Sequence, residues 1–249
     1  MMKKSVFLVP VLILSILVLS ACQMLPWFGV MRGSGNMTAE SRQVSDFDEI
    51  RLDGAGRMVI TQGATPSLEI EAEDNLINHL TSEVKEDTLV LGYQEQIWRR
   101  TIVPTRTIHY TLVVTDLSTL VLNGAGDIEI QSLETDTLYI EINGAGSILI
   151  SDISAENLNI TLSGTGSIHT SGMVSEQVIN IDGAGNYQGA ELQTETTTVK
   201  INGLGNSTVW ASESLDVTIA GGGNVSYYGS PQVTQEISGL GQVRNLGEK

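Results

Sequence analysis

The stretch Leu122-Asn123-Gly124-Ala125-Gly126-Asp127-Ile128 recurs along this chain and decides its fold. It contains a pair of glycines with a single residue between them, and six further copies follow at nearly constant steps. An earlier copy, Leu52-Asp53-Gly54-Ala55-Gly56-Arg57, lies well upstream of the first. Such a fixed period is typical of a solenoid, in which one supersecondary unit stacks on itself. The paired glycines, which we interpret as structural turns, are Gly54 and Gly56, Gly124 and Gly126, Gly144 and Gly146, Gly164 and Gly166, Gly183 and Gly185, Gly203 and Gly205, Gly221 and Gly223, and Gly239 and Gly241.

Aliphatic residues stand two positions before each of these glycine pairs, and most pairs have another one four positions before. In the first regular copy these residues are Leu122 and Leu120. Residues two apart lie on the same face of a β-strand, so this face is expected to point into the stack. Burying one such side chain stabilises the fold by roughly 1.5–3 kcal/mol. The sequence therefore predicts an all-β fold, a parallel β-solenoid with rungs of about 18–20 residues.

The glycines and their neighbours are expected to shape one corner of each rung. A sharp bend in every coil needs backbone angles or close approaches that a Cβ atom prevents. Polar residues beside the glycines, such as Asn123 and Asn143, would lie about 4.8 Å apart in a parallel stack and hydrogen-bond along it. We interpret these polar columns as structural ladders. The residues between the glycines are small or apolar and are expected in a crowded interior corner: Ala125, Ala145, Thr165, Ala184, Leu204, Gly222 and Leu240.

The segment before the repeats predicts export. Met1-Met2-Lys3-Lys4 precedes the apolar run from Val6 to Leu19, a pattern typical of a secretory signal and short for a membrane span. Residues Leu19-Ser20-Ala21-Cys22 resemble the lipobox of bacterial lipoproteins, which implies that Cys22 is lipidated and becomes the new N-terminus. The chain then divides into a lipoprotein signal peptide at 1–21, a lipid-anchored tether at 22–45, a less regular N-terminal cap with the first coils at 46–116, and regular rungs at 117–249.

The charge of the chain restricts its partners. It has 29 acidic and 13 basic residues and a formal net charge of −16, which removal of residues 1–21 would change to −18 because they hold two lysines and no acid. Nucleic acids and anionic lipid surfaces are bound mainly through lysine and arginine, so neither is expected as a direct partner. The acyl chains on Cys22 are therefore predicted to be the membrane link. This places the protein in the bacterial cell envelope, at the outer membrane or the outer face of the cytoplasmic membrane.

The opening Phe47-Asp48-Glu49-Ile50 before Gly54-Ala55-Gly56, together with the recurrent Ile-Asn-Gly-x-Gly turns, resembles the head GIN domain family of putative auto-transporter adhesins. The resemblance covers about residues 46–240. It implies a right-handed parallel β-helix on the surface of a bacterial cell and a role in adhesion. It carries over no catalytic residues.

Cofactor and metal chemistry find little support in the sequence. Gly124-Ala125-Gly126 lacks the third glycine and the following helix of a dinucleotide-binding loop. A calcium ladder would need an aspartate in each repeat, whereas only Asp127 occupies that position. His79, His109 and His169 lack the spacing of metal ligands. We predict no cofactor and no metal centre, while isolated calcium sites among the acidic corners stay open.

A carbohydrate-active enzyme on the same scaffold, either a glycan hydrolase or a lyase, is the main functional alternative. A lyase of acidic polysaccharides needs basic residues, and Lys200 is the only one between residues 117 and 243. A hydrolase needs two carboxylates about 5–9.5 Å apart, for which Glu129, Glu141 and Asp152 are the candidates. Carboxylates on an acidic solenoid usually serve solvation. The sequence therefore favours a protein that is not an enzyme.

The preferred function is a surface-anchored, non-catalytic adhesion, binding or structural module of the envelope. Aromatic residues become more frequent towards the later rungs. Trp210, Tyr227 and Tyr228 are the candidate binding residues, with a cell-surface glycan or protein as the expected ligand. Tyr187 belongs to the same group, whose alternative role is to close the core.

Overall fold

The computed structural model describes residues 29–94 and 100–249. The predicted signal peptide and Cys22 lie outside the described residues. Within them the chain consists of strands joined by short turns, with one 3-10 turn at Ile77–His79 and no α-helix. No helix in the described ranges is long and apolar enough to cross a membrane.

Nineteen strands follow one another along the described chain. They are β1 (Gly29–Arg32), β2 (Met37–Arg42), β3 (Glu49–Leu52), β4 (Ala55–Gln62), β5 (Ser67–Glu73), β6 (Leu80–Lys85), β7 (Thr88–Tyr93), β8 (Arg100–Val103), β9 (His109–Val114), β10 (Thr119–Leu122), β11 (Ala125–Ile130), β12 (Leu133–Ile142), β13 (Ala145–Leu162), β14 (Thr165–Ile181), β15 (Ala184–Ile201), β16 (Leu204–Ile219), β17 (Gly222–Tyr228), β18 (Gln232–Ile237) and β19 (Leu240–Asn245).

Parallel pairing between successive repeats builds a solenoid of about 6 turns. Gly126 of β11 lies opposite Gly146 of β13, and Gly146 lies opposite Gly166 of β14. The same register continues through Gly185 and Gly205 in β15 and β16. Of the described strands, 17 join in one sheet that wraps around the stack. The predicted all-β solenoid of stacked parallel rungs is confirmed.

One continuous hydrophobic core runs through the stack. Leu120 and Leu122, predicted to face inward, are fully buried, and the matching residues of the following rungs pack above them. The last described rung differs, because Ile237 is 40% exposed. There Gln235 takes the inward position that Val217 holds one rung below. The core thus ends in a rung that is polar on part of its inner face.

The upstream glycine copy forms the rung directly below the first regular one. β3 and β4 pair in parallel with β10 and β11, so that Ala55 lies opposite Ala125. In the sequence, a long segment from β5 to β9 separates these two rungs. Within it, β7 pairs with β3 and β9 pairs with β4, each on the side opposite the first regular rung. β5 and β2 close this end of the stack by antiparallel pairing, β5 on β9 and β2 on β5. This end is the less regular N-terminal cap that the sequence predicts.

Of the predicted tether at 22–45, the structure describes residues 29–45, and two segments of it form strands instead of a linker. β1 pairs with β8 in a two-stranded sheet. β2 runs antiparallel to β5, with Met37 opposite Glu73. The middle of β2 is exposed on both faces. Met37 is the only large apolar residue of this strand, so no buried apolar face predicts it from the sequence.

The glycines allow the rungs to approach closely at one corner. A Cβ atom on Gly144 would lie 1.9 Å from the carbonyl oxygen of Gly124, and one on Gly164 would lie 2.0 Å from that of Gly144. The Gly144 N–H donates to the Leu122 carbonyl at 3.0 Å, which holds the two rungs at this separation. Close backbone contact between rungs is therefore the reason for glycine at these positions.

The residues between the glycines do not fill an interior corner, so that expectation is wrong. Because both glycines face the adjacent rung, the residue between them projects away from the stack. Leu204 is 67% exposed and Leu240 is 86% exposed. The alanines and the threonine at the equivalent positions are exposed as well, and Gly222 is half-buried.

The polar columns beside the glycines form the expected ladders. Asn143 Nδ2 donates to Asn123 Oδ1 at 3.0 Å, and Asn123 Nδ2 donates to Asp53 Oδ1 at 2.8 Å. On the other side of the glycines, Asn206 Nδ2 donates to Asn186 Oδ1 at 3.1 Å, and Asn224 continues this ladder at the same distance. These side chains hydrogen-bond one another along the stack axis, in agreement with a structural role.

Candidate binding surface

One outward-facing column carries the large side chains of the later rungs. Met173 lies opposite Gln193 in the next rung, Gln193 opposite Trp210, and Trp210 opposite Tyr228. Adjacent backbones in such a column are about 4.8 Å apart. Met173 is 62% exposed, and Trp210 and Tyr228 are half-buried. We call Met173, Gln193, Trp210 and Tyr228 the aromatic column.

The structure brings together two of the three predicted binding residues. Val209 and Ala211, on either side of Trp210, are fully buried, so Trp210 points outward. Trp210 then lies beside Tyr228. Tyr227 is half-buried and packs against the core. Because side chains alternate between the faces of a strand, Tyr227 does not share the surface of Tyr228.

Tyr187 lies inside the solenoid and is 1% exposed. Its hydroxyl is 2.5 Å from the Thr170 hydroxyl and accepts a hydrogen bond from the Gln177 side-chain amide. Burial raises the pKa of Tyr187 to about 12, although these two hydrogen bonds act to lower it. A Cβ atom on Gly189 would lie 2.4 Å from the Tyr187 hydroxyl, so Tyr187 packs directly under that part of β15. Tyr187 supports the wall from within and is not a surface residue.

A bulge in β15 lies beside the aromatic column. From Gln188 to Gln193 this strand advances five residues, whereas β16 advances only two between the partners Thr208 and Trp210. The residues between Gln188 and Gln193 therefore have no partner in the next rung. A bulge turns backbone groups away from the ladder and redirects side chains. Here the Ala190 carbonyl accepts a hydrogen bond from a side chain instead of from the adjacent strand.

That side chain is Lys249, whose ammonium group rests against the bulge and the aromatic column. Lys249 Nζ donates to the Ala190 carbonyl at 2.6 Å and forms an ion pair with the Glu191 carboxylate. It also lies 5.4 Å from the ring centre of Trp210 and 5.5 Å from that of Tyr228. A cation within about 6 Å of an aromatic face is attracted to it. We call the Ala190 carbonyl, Glu191, Trp210 and Tyr228 the ammonium seat.

A buried carboxylate that sequence reasoning missed holds the N-terminal segment onto the cap. Glu73 is 1% exposed. It accepts hydrogen bonds from the backbone N–H of Gly35 at 2.6 Å and from the N–H and hydroxyl of Thr105 at 2.8 and 2.5 Å. Burial alone would raise the pKa of Glu73, but these hydrogen bonds and one from the Arg106 N–H hold it below its ordinary value. The role of Glu73 is structural, because every one of these bonds joins two parts of the cap.

Two of the three carboxylates considered for glycan hydrolysis, Glu129 and Glu141, have no carboxylate opposite them in the adjacent rungs. Glu129 lies opposite Val59 and Leu149 in the adjacent rungs and forms an ion pair with Arg57 at 2.8 Å. Glu141 lies opposite Thr161. Among residues 29–94 and 100–249, no group of three or more His, Cys, Asp and Glu side chains is placed to hold a metal ion. The enzyme alternative gains no support from these positions.

The protein is a β-solenoid whose later rungs align Met173, Gln193, Trp210 and Tyr228 in one outward-facing column. The sequence pattern of the family described as putative auto-transporter adhesin, head GIN domain, matches residues 46–231. The chain belongs to this family, and the resemblance seen in the sequence is confirmed. A comparison with curated proteins finds no match.

Solved structures show the same fold. A putative adhesin from Bacteroides fragilis is 25% identical, with a TM-score of 0.82 over 87% of this chain and 100% of that one. A putative lipid binding protein from Parabacteroides distasonis is 22% identical, with a TM-score of 0.70 over 87% of this chain and 99% of the other. A putative adhesin from Parabacteroides merdae is 19% identical, with a TM-score of 0.65 over 88% and 99%. The latter two support the fold alone.

Proposed function

We propose that this protein is a non-catalytic binding module of the bacterial cell envelope, anchored by lipid on Cys22, that contacts a glycan or protein at the cell surface through its aromatic column. The observation that carries the proposal is the outward pair of Trp210 and Tyr228 on adjacent rungs. Half-exposed aromatic rings in a regular column offer flat apolar contact together with polar edges, which is typical of binding hot spots. Membership of a family described as adhesins supports the same conclusion.

The proposal can be tested by sedimentation of the full chain with isolated cell envelopes. We expect the double variant Trp210→Ser with Tyr228→Ser to lose at least 90% of envelope binding, about tenfold or 1.4 kcal/mol, because the loss of two aromatic contacts is worth more than that. Tyr139→Ser is the matched control, since Tyr139 is 53% exposed and belongs to a different column, opposite Asn159. Unchanged binding by a folded double variant, checked by its circular dichroism, would move the site elsewhere.

A further inference from the structure

The ammonium seat has the features of a built recognition site. It combines three kinds of group that attract an alkylammonium ion: a carbonyl oxygen, a carboxylate and two aromatic faces. The Lys249 side chain that occupies it is 23% exposed, whereas the Glu191 side chain is 63% exposed. The cation is therefore largely covered by the seat, while the acidic group stays accessible from outside.

One group of the seat, the Ala190 carbonyl, belongs to the backbone. The β15 bulge places the Ala190 carbonyl outside the ladder to the next rung. The bulge is supported from inside the solenoid, where Gly189 packs on the buried Tyr187 ring and Leu192 is fully buried. Bulges commonly redirect groups at functional positions. The position of the Ala190 carbonyl is thus set by the packing of β15 and not by Lys249.

Lys249 is carried by a short exposed segment that a few hydrogen bonds attach to the solenoid. The Leu246 N–H donates to the Tyr227 carbonyl at 2.8 Å, and the Gly229 N–H donates to the Gly247 carbonyl at 3.0 Å. A hydrogen bond from the Ser230 hydroxyl to the Glu248 carboxylate adds a contact with the neighbouring turn. Exposed hydrogen bonds contribute little net stability each, so a competing ligand can displace the segment.

We propose that the ammonium seat binds a lysine side chain of a partner protein, and that Lys249 occupies the seat until the partner displaces it. This inference rests on the proposed function and names the chemistry recognised beside the aromatic column. The occupant seen in the seat is itself a lysine, whose ammonium group lies against the two rings. The Ala190 carbonyl accepts a hydrogen bond from the ammonium group, which favours a primary ammonium group over a quaternary one that has no N–H. A formal net charge of −16 also attracts basic partners.

The test measures binding of a peptide with a single lysine to the full chain by calorimetric titration. Lys249→Met should bind the peptide at least tenfold more tightly than the wild type, because a tethered competitor acts at an effective concentration in the millimolar range. Lys200→Met, which removes an exposed lysine from another column, should leave the affinity at the wild-type value. Adding Glu191→Gln to Lys249→Met should weaken binding at least tenfold, whereas Glu195→Gln, an exposed acid four residues further on, should not.

Three results would overturn the inference. One is equal affinity of Lys249→Met and the wild type when both show the same thermal melting. Another is equal binding of the peptide after acetylation of its lysine, since acetylation removes the cation. Binding of Lys249→Met to vesicles of phosphatidylethanolamine without binding to the peptide would also reject a protein partner. The two proposals fail in different ways. If the Trp210 and Tyr228 variant loses envelope binding while Lys249→Met and the wild type bind the peptide equally, lysine recognition is rejected and the proposed function stands. If the double variant keeps envelope binding, the proposed function is rejected.

Discussion

At the scale of the residue, the glycines of the repeat are determined by backbone contact between rungs. The carbonyl of each glycine occupies the space that a Cβ atom of the next glycine would need, as at Gly144 and Gly164. The neighbouring residue Thr165 faces solvent instead. Position 164 therefore has no room for a side chain, whereas the adjacent position 165 has.

We expect Gly164→Val to lower the free energy of unfolding by about 3 kcal/mol, because the added side chain forces the rungs apart. Thr165→Val places the same side chain one residue further on, at an exposed position, and should change stability by no more than about 0.5 kcal/mol. Urea denaturation of both variants measures the difference. Similar midpoints for the two would contradict the close-contact explanation.

Glu73 predicts a specific dependence of stability on pH. Its pKa in the folded protein lies below the ordinary value of 4.5. The ionised carboxylate therefore stabilises the fold above about pH 4.5, and this contribution is lost as the pH falls through the lowered pKa. Glu73→Gln should be less stable than the wild type at pH 6, and its stability should decline less steeply between pH 4.5 and pH 3.

The control for this experiment is Glu71→Gln, which removes an exposed carboxylate two residues away on the same strand. It should keep the wild-type slope of stability against pH. Denaturation midpoints measured at a series of pH values give the three slopes. A Glu73→Gln slope equal to the other two would show that the hydrogen bonds of Glu73 do not depend on its charge.

At the scale of the element, the polar interior of β14 and β15 supports the bulge that forms the ammonium seat. Gln177 occupies the inward position that Leu158 holds one rung below, and it donates to the buried Tyr187 hydroxyl. A buried polar group that loses its partner is destabilising, whereas replacing both partners with apolar groups is nearly neutral. This pair therefore allows a clear double-variant test.

Tyr187→Phe should lower the free energy of unfolding by about 1–3 kcal/mol, because it leaves the Gln177 amide buried without its acceptor. Adding Gln177→Leu should recover part of this loss, since the neighbouring rung already packs a leucine at this position. Chemical denaturation of the two single variants and the double variant gives the coupling energy. Strictly additive losses would mean that the hydrogen bond contributes little.

The rungs could be predicted from sequence because each one repeats the same local pattern. The glycine pair, the aliphatic residues before it and the nearly constant period together fix the pairing of β10 to β17. The pairing of β9 with the far side of β4 carries no such pattern, since β9 lacks a glycine turn and reaches β4 across a long excursion. The exposed edge strand β2 is not visible in the sequence because Met37 is its only large apolar residue.

The ammonium seat could be predicted only in part. The aromatic residues of the later rungs are visible in the sequence, and the repeat step from Gly203 to Gly221 is shorter than the step from Gly183 to Gly203. The longer step contains β15 and the shorter step contains β16, so the difference in length reflects the β15 bulge. Its location beside Ala190, and the contact of Glu191 with Lys249, depend on how three rungs align in space, which no local pattern encodes.

At the scale of the whole molecule, the two ends of the solenoid differ. The N-terminal end is closed by β2 and β5, and the first described residue, Gly29, pairs with Arg100 near this cap. The rung of Tyr228 lies five steps beyond that of Gly124, about 24 Å along the axis at 4.8 Å per rung. A lipid anchor that precedes Gly29 would therefore hold the cap end at the membrane and leave the aromatic column towards the free end.

The proposed lipid anchor predicts that Cys22 decides where the protein is located. Cys22→Ser should prevent lipidation and release the protein from sedimented membranes, because the proposed attachment is through acyl chains alone. The thermal melting of the released protein, compared with that of the wild type, checks that the variant is folded. Ser20→Thr, a substitution two residues before the proposed lipidation site, is a control for export. Membrane fractions washed with high salt separate acyl anchoring from electrostatic adsorption, and a Cys22→Ser protein that stays with the washed membranes would refute the proposed anchor.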